Sequence, residues 1–358
     1  MTDGHHRPRL SIAPGQPVYR ALVRQGVAWP DPCRSGACGL CRVRLDSGAV
    51  RHLGHAPASL SARDRADGIV LACRASTLAP TTVRPLDTTP AARHPIRRLT
   101  GRIATIEAPT ELVRIVTVQL DADTALDFSP GQFLSARFAG LPARDYSIAD
   151  AITDVPAATA GGRITFHIAR SASGTVTVHV HDRLAVGDPV VLTGPYGSAH
   201  LRGGCPRPVV AVAGGTGLAP ILAIVQAALA DRPDRPVLLG VGAANAAALY
   251  AAERLRELDR RHAALRLVVA LDDETGPIGA AVGHALGGWP ADGADPASCR
   301  AYLGGPPAMV EDGLMRLVAA GLARERIHAD PFYSDAQLAR FDQDAPFDVT
   351  PAGPRDGR

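Results

Sequence analysis

Residues 31–41 read DPCRSGACGLC, which sets Cys33, Cys38 and Cys41 in a C-x4-C-x2-C spacing, and Cys73 follows in GIVLACRAS. Zinc sites usually present two close cysteine pairs, or one pair with two histidines. Cys73 has no close cysteine and no histidine pair stands at finger spacing, so zinc fits poorly. The pattern C-x4-C-x2-C…C is the spacing of four thiolates around a plant-type [2Fe–2S] cluster. One loop can supply three thiolates if it wraps the cluster closely, and a distant strand supplies the fourth. Gly36, Ala37 and Gly39 suit such a loop. Small residues let backbone N–H groups approach sulfur, and glycine accepts positive φ. The other two cysteines, Cys205 and Cys299, are isolated and read as packing residues.

Two further groups of residues could do chemistry. Arg144-Asp145-Tyr146-Ser147 follows the turn at GLPA, and Gly174-Thr175-Val176-Thr177 precedes the helical stretch VHVHDRLAVG. Each alone is a weak signal. Gly214-Gly215-Thr216-Gly217 ends the apolar run PVVAVAGGTG and opens LAPILAIVQAALA, a strand-to-helix turn of the kind that holds nucleotide phosphates. Pro220 stands where the last glycine of a G-x-G-x-x-G would be, and proline is tolerated in a first helical turn.

The elements that must position these residues fall into three stretches. RLSIAPGQPV reads as a hairpin around Pro14-Gly15, YRALVRQG as a short helix, and CRVRLDSGAV as a strand turning at Ser47-Gly48. A Pro/Thr/Ala linker, LDTTPAARHP, follows. From Ile96, the segments LTGRIATIEA, VRIVTVQLDA, GQFLSARF, RITFHIAR and DPVVLTG alternate as short strands of an antiparallel β-barrel. From Pro208, strands PVVAVAGGTG, PVLLGVG, LRLVVALD and CRAYLGG alternate with helices LAPILAIVQAALA, AALYAAERLRELDR, GAAVGHAL and PAMVEDGLMRLVAAG. That is a doubly wound parallel α/β sheet.

The expected boundaries are 1–88 for an α+β cluster domain, 89–97 for a linker, 98–204 for the barrel, 205–334 for the nucleotide domain and 335–358 for a disordered polar tail. Hydrophobic content is 46% and no apolar run reaches the length of a membrane span, so a cytoplasmic protein without a membrane partner is expected. A net charge of +3 gives no reason to expect nucleic acid. Every basic residue is arginine, which reflects genome composition.

The first stretch resembles a plant-type ferredoxin domain, a β-grasp fold. The Arg-x-Tyr-Ser strand and the Gly-Thr-Val-Thr turn, in that order, with GPYGSAHL at 194–201, resemble the flavin domain of the ferredoxin-NADP reductase superfamily. GGTGLAP, GGPPAMV and IHADPFY resemble its nicotinamide-binding signatures and C-terminal end. Together the order ferredoxin–FAD–NAD resembles the reductase components of bacterial aromatic-ring oxygenases. The stretches HPIRRLTGRIATIEAPTELVR, FSPGQF and RAYLGGPPAMVE look closest to the naphthalene-dioxygenase type.

The resemblance implies roles. Cys33, Cys38, Cys41 and Cys73 would hold the cluster. Tyr146 would pack on the isoalloxazine, and Ser147 would lie near N5 as the catalytic hydroxyl. Arg144 with Gly174, Thr175 and Thr177 would bind a pyrophosphate, which implies FAD and not FMN. Phe332 or Tyr333 would stack on the flavin. Gly214, Gly215, Thr216, Gly217, Gly304, Gly305 and Pro306 would bind NADH. The family usually carries cysteine where Gly304 stands, and Cys299 is too far back along its strand to replace it.

A hydride donor gives two electrons and a [2Fe–2S] cluster takes one at a time, so the implied order is NADH to FAD to cluster to acceptor. The implied acceptor is a Rieske ferredoxin or the terminal oxygenase of a Rieske-type dioxygenase. Alternatives are a diiron monooxygenase, a cytochrome P450 or a sugar-deoxygenation enzyme. An alternative of another class is a non-enzymatic redox sensor or carrier. Residues 1–88 hold 12 Arg against 6 Asp and no Glu, so this domain is cationic and expects an acidic docking partner, with Arg34, Arg42 and Arg44 near the cluster loop.

Overall fold

The computed structural model describes residues 9–25, 36, 41–54, 60–86, 94–122, 126–150, 162–171, 174–271, 298–334, 337 and 346–351. The chain divides into two compact units, Met1–Ala91 with Tyr333–Arg358, and Ala92–Phe332.

The first unit contains β1 (Leu10–Ile12), α1 (Val18–Arg24), β2 (Arg42–Ser47), β3 (Val50–His52), α2 (Ala62–Ala66), β4 (Ile69–Leu71), β5 (Ala75–Thr77) and β6 (Thr81–Pro85). A strand near the C-terminus, β18 (Phe347–Val349), belongs to it as well. One sheet runs β1-β6-β2-β4 and a smaller one runs β18-β3-β5, both antiparallel. β2 alternates as its sequence demands, with Val43 and Leu45 buried between the half-buried Arg42, Arg44 and Asp46. Gly48 turns the chain from β2 to β3 at φ 87°, and a Cβ there would lie 2.5 Å from the Pro80 carbonyl oxygen, so only glycine fits. α2 starts on a capping box between Ser61 and Asp64. Val18, Leu22, Val43, Leu45, Val50, Leu71 and Val83 form the core with Cys41.

Three expectations need correction. The chain turns at Pro14-Gly15, but β1 is not one arm of a hairpin there. Its partner is β6, and Pro17 beyond the turn bridges to Ser76. The segment 335–358 was expected to be disordered, yet Phe347–Val349 form β18 because Val349 has a core to enter and β3 has an open edge. In the nucleotide domain, the helix expected over AALYAAERLRELDR is shorter. A 3-10 turn at Ala246–Ala248 comes first and α5 begins at Ala252.

In the second unit, β7 (Arg97–Thr110), β8 (Val113–Leu120), β9 (Phe133–Phe138), β10 (Arg144–Ser147), β11 (Arg163–Ala169) and β12 (Pro189–Tyr196) pair antiparallel in the order β10-β9-β12-β7-β8-β11. A bridge between Ile148 and Phe166 ties the β10 end of this sheet to β11, which closes it as a barrel. Leu134, Phe138, Ile148, Phe166, Ile168 and Leu192 fill the interior. α3 (Thr175–Asp182) follows β11 and turns Val176 and Val180 into the same core.

The remainder is a parallel sheet of β13 (Val209–Gly214), β14 (Val237–Ala243), β15 (Leu265–Leu271), β16 (Arg300–Gly305) and β17 (Ile327–Pro331), ordered β15-β14-β13-β16-β17 among the described residues. α4 (Leu218–Asp231) and α5 (Ala252–Arg261) pack with one face around Leu222, Leu229 and Leu255. α6 (Pro307–Ala319) packs with the other around Val310, Leu314 and Leu317. β13 is buried along its whole length, as a central parallel strand must be. Leu222 is fully buried, and Leu222→Ala would cost about 2–5 kcal/mol. The strand order reverses direction between β13 and β16, where such sheets open a crevice at their carboxyl ends. The expected helix GAAVGHAL lies outside the described residues.

Candidate functional site

The ends of β13 and β16 build the first part of the site. Gly214 closes β13, Gly215–Gly217 make a 3-10 turn with Gly215 at φ 52°, and α4 starts at Leu218. Gly304 and Gly305 close β16, Pro306 precedes α6, and Gly305 holds φ 132°. The two glycine turns press on each other. A Cβ on Gly217 would fall inside van der Waals contact of the Gly304 carbonyl, and one on Gly305 would stand 2.5 Å from the Gly214 carbonyl oxygen. No side chain fits between these backbones, so their N–H and C=O groups line the crevice. A Cβ on Gly304 meets less resistance, with Gly217 O at 3.1 Å and Ile221 Cγ1 at 3.2 Å.

β10 supplies the second part. Arg144 is its exposed first residue, and its Nη1 donates to the Ala143 carbonyl at 3.0 Å. Tyr146 is half-buried, with its ring 5.9 Å from Phe138 and 6.0 Å from Phe166. Its hydroxyl is shut away from solvent with no hydrogen-bond partner among the described residues, and burial pushes the phenol up to about 12. A buried phenol left without a partner is a site for a polar group to occupy. Gly174 caps α3, Thr175 is exposed in its first turn, and Thr177 Oγ1 donates to the Gly174 carbonyl at 3.1 Å. The free N–H groups of that turn suit an anion. These features fit a bound flavin dinucleotide.

β10 and β17 bring the two parts together. Ser147 Oγ reaches Asp330 Oδ2 at 3.5 Å, and Asp330 pairs with Gly304 in the sheet. The Phe332 N–H donates to the Gly305 carbonyl at 2.8 Å, which anchors the start of the expected stacking residue beside the glycine turn. His167 Nδ1 and the Tyr250 hydroxyl lie 2.8 Å apart, a second link between barrel and parallel sheet. Burial, with Arg254 adding a smaller push, lowers His167 to about 3, so its ring is neutral. Sequence reasoning passed over Asp330 and this pair. Asp330 sits inside the quoted IHADPFY, but nothing in the sequence ties His167 to Tyr250.

The cluster cysteines lie in the first unit. Cys41 is buried at the start of β2, and the Ala72 N–H donates to its carbonyl at 2.8 Å. That bond holds the 3-10 turn Ala72–Arg74, which carries Cys73, against the residue that precedes β2. Gly36 holds φ 86°, in the left-handed region that favours glycine. Cys33, Cys38, Ala37 and Gly39 lie outside the described residues, as does Arg34. Of the expected docking residues, Arg42 is ion-paired to Asp64. Arg44 is half-buried on β2, and its Nε is buried without a hydrogen-bond partner among the described residues. Neither presents a fully exposed charge.

Cys41 and Cys73 on hydrogen-bonded neighbouring segments, a barrel strand with a buried tyrosine, and a parallel sheet with paired glycine turns are features that an iron–sulfur flavoprotein reductase requires. Residues 4–77 match the family of 2Fe-2S iron-sulfur cluster binding domains, 101–201 the oxidoreductase FAD-binding domain and 211–313 the oxidoreductase NAD-binding domain. The reductase subunit of an aromatic O-demethylase from Amycolatopsis sp. is 36% identical over 90% of this chain and 96% of that one. The ferredoxin–NAD(P)(+) reductase component of the naphthalene 1,2-dioxygenase system from Pseudomonas putida is 34% identical over 90% and 95%. Among solved structures, an Amycolatopsis cytochrome P450 reductase aligns with a TM-score of 0.65 at 34% identity, covering 89% of this chain and 95% of that one. The ferredoxin reductase in carbazole 1,9a-dioxygenase aligns with a TM-score of 0.62 at 27% identity, covering 92% and 100%. The chain belongs to the family of ferredoxin–NAD(P) reductase components of oxygenase systems. It is an oxidoreductase whose cofactors are a [2Fe–2S] cluster, FAD and a nicotinamide dinucleotide. Among the described residues no helix is long and apolar enough to cross a membrane.

Proposed function

We propose that the chain draws electrons from NADH and delivers them singly, through its ferredoxin unit, to a Rieske ferredoxin or the terminal oxygenase of an aromatic-ring dioxygenase system. The observation that carries the hydride half is the approach of Ser147 to Asp330 beside Gly304, which sets the flavin strand against the nicotinamide end of the sheet. A bound flavin supplies the conversion between a two-electron hydride and single electrons.

The chain's own residues position the reactants. The glycine turns at 214–217 and 304–306 receive the dinucleotide. Arg144 and the first turn of α3 balance a pyrophosphate. Tyr146 walls the flavin, and its hydroxyl gains the partner it lacks. Ser147 offers a hydroxyl where hydride arrives, and Phe332 covers that place until nicotinamide displaces it. Cys41 and Cys73, with Cys33 and Cys38, hold the cluster.

The Pseudomonas putida relative supports the dioxygenase reading. A second reading, delivery to a cytochrome P450, is favoured by the solved structure with a TM-score of 0.65. The test measures NADH oxidation with purified Rieske ferredoxin, Rieske oxygenase, P450 and diiron hydroxylase added one at a time. Strong stimulation by the P450 alone would replace the first reading with the second. Cys73→Ser separates the route from the partner. Ferricyanide reduction should stay within about twofold of wild type, while reduction of any protein acceptor falls at least about a hundredfold. Loss of ferricyanide reduction in a folded, FAD-replete variant would reverse the proposed order.

A further inference from the structure

The first unit is discontinuous. It begins the chain, is left at about residue 91, and is re-entered at Tyr333. What brings the chain back is β18. Phe347, Asp348 and Val349 pair antiparallel with His52, Arg51 and Val50 of β3, on the edge that β5 leaves open. Every side chain of β18 is engaged. The Phe347 ring stacks on His52 at 4.6 Å and 19° between planes, with the Arg65 guanidinium 5.4 Å from its centroid. Asp348 takes Arg51 through both carboxylate oxygens, at 3.0 and 3.2 Å. Val349 is buried in the core that also holds Cys41.

This strand changes how the units are connected. Without it, the reductase unit and the ferredoxin unit share one covalent connection, between β6 and β7. With it they gain a second connection, made of the chain from β17 to β18 and the non-covalent pairing of β18 with β3. That second connection leaves from Phe332, beside the Gly305 turn, and spans at most about 50 Å fully extended. A domain held by two connections samples a smaller volume than a domain held by one, and the effective concentration of one redox centre at the other rises accordingly.

We propose that Phe347–Val349 is a latch: a C-terminal strand that grips β3 and keeps the iron–sulfur unit doubly tethered to the flavin unit that reduces it. The latch rests on the electron route set out above, and it adds a restraint which that route does not require. It is built to open as well as close. Its pairing is three residues long, its ion pair is half-exposed, and only Val349 reaches deep into the core. Occupancy of the latch therefore sets how far the iron–sulfur unit can travel toward an external acceptor.

The test uses the full-length holoenzyme and three variants. Val349→Asp places a charge in the core and should open the latch. Asp348→Arg removes the ion pair by charge reversal, and Arg51→Asp combined with Asp348→Arg restores it with the signs exchanged. Amide exchange at Val50–His52 should rise at least about tenfold in the first two and return toward wild type in the third. Small-angle scattering should show a larger maximum dimension for the open variants. NADH–ferricyanide turnover should stay within about twofold, while flavin-to-cluster electron transfer in a stopped-flow trace should fall at least about threefold.

Unchanged exchange at Val50–His52 in Val349→Asp and Asp348→Arg would overturn the latch. So would raised exchange with scattering and electron transfer both unchanged, since the strand would then restrain nothing. Should Val349→Asp unfold the unit and lose its cluster absorbance, the Asp348→Arg and swap pair decides alone. A wild-type cluster that NADH does not reduce would instead refute the electron route, and the exchange and scattering arms would still report on the latch.

Discussion

Ser147 Oγ lies 3.5 Å from Asp330 Oδ2, a contact between a barrel strand and the fifth strand of the parallel sheet. The hydroxyl is therefore oriented by a carboxylate from the domain that receives the nicotinamide. Ser147→Ala should slow flavin reduction by NADH at least about tenfold, the scale of losing one placed hydrogen-bond donor or less. FAD content should be unchanged. Anaerobic stopped-flow bleaching within twofold of wild type would remove Ser147 from the hydride step.

The two glycine turns predict opposite tolerances. Gly217→Ala puts a methyl group into the Gly304 backbone, so NADH affinity should fall at least about tenfold or the nucleotide domain should fail to fold. Gly304→Cys meets only tight contacts with Gly217 and Ile221, and Ile221 can shift. That variant should fold, keep FAD, lose about 1 kcal/mol of stability, and reduce its flavin at an altered, slower rate because reacting atoms are displaced slightly. Equal flavin-reduction rates in Gly304→Cys and wild type would show that position 304 does not shape the nicotinamide pocket.

NADH should be preferred to NADPH by at least about tenfold in kcat/KM. The chain after β14 reads Ala243-Ala244-Asn245-Ala246, and the Asn245 side chain is used to cap the Ala248 N–H. The nearest arginines in sequence are occupied. Arg235 binds Asp231 and the Cys205 carbonyl, and Arg254 binds Gln226. A 2′-phosphate normally needs an arginine at that strand end. Ala244→Arg should narrow the preference, and equal efficiency of the two dinucleotides in wild type would contradict this account.

Acid should loosen the barrel from the parallel sheet. His167 is neutral in the folded chain because burial holds it at about 3, against about 6.5 in the unfolded chain. The unfolded state binds the extra proton, so stability is complete above about pH 6.5 and declines as pH falls toward 3. At pH 4 the loss from this one residue is about 3 kcal/mol. His167→Gln keeps a polar partner for Tyr250 and cannot titrate, so its denaturation midpoint should fall less between pH 7 and 4. Parallel curves for the two proteins would assign the acid sensitivity elsewhere.

Docking charge is testable by salt. The cationic residues 1–88 should make electron delivery to an acidic acceptor slow as ionic strength rises. Since Arg42 is held by Asp64, Arg34→Glu is the better probe and should slow delivery severalfold at low salt. A rate flat from low to high salt would mean that charge does not govern docking.

The cysteine spacing, the alternating barrel strands and the glycine turns were legible because each is local. Ser47-Gly48 turns where expected, and β13 is as apolar as a buried parallel strand must be. What escaped notice depends on partners far away in the chain. β18 is three residues in a polar tail, too short for a period, and becomes a strand only because β3 offers an edge nearly 300 residues earlier. The Pro14-Gly15 turn was legible, but not that β6 would take β1 from its neighbour. Arg42 looked like a docking charge until α2 placed Asp64 beside it.

Synthesis from the N-terminus gives the returning strand a further consequence. β3 is made long before Phe347–Val349, so the ferredoxin unit is completed only after the flavin and nucleotide domains between them have been made. Its smaller sheet lacks an edge strand for as long as the flavin and nucleotide domains are still being made. A chain truncated anywhere before Phe347 leaves the β3 edge unfilled, and an unpaired strand edge is a template for pairing with another chain.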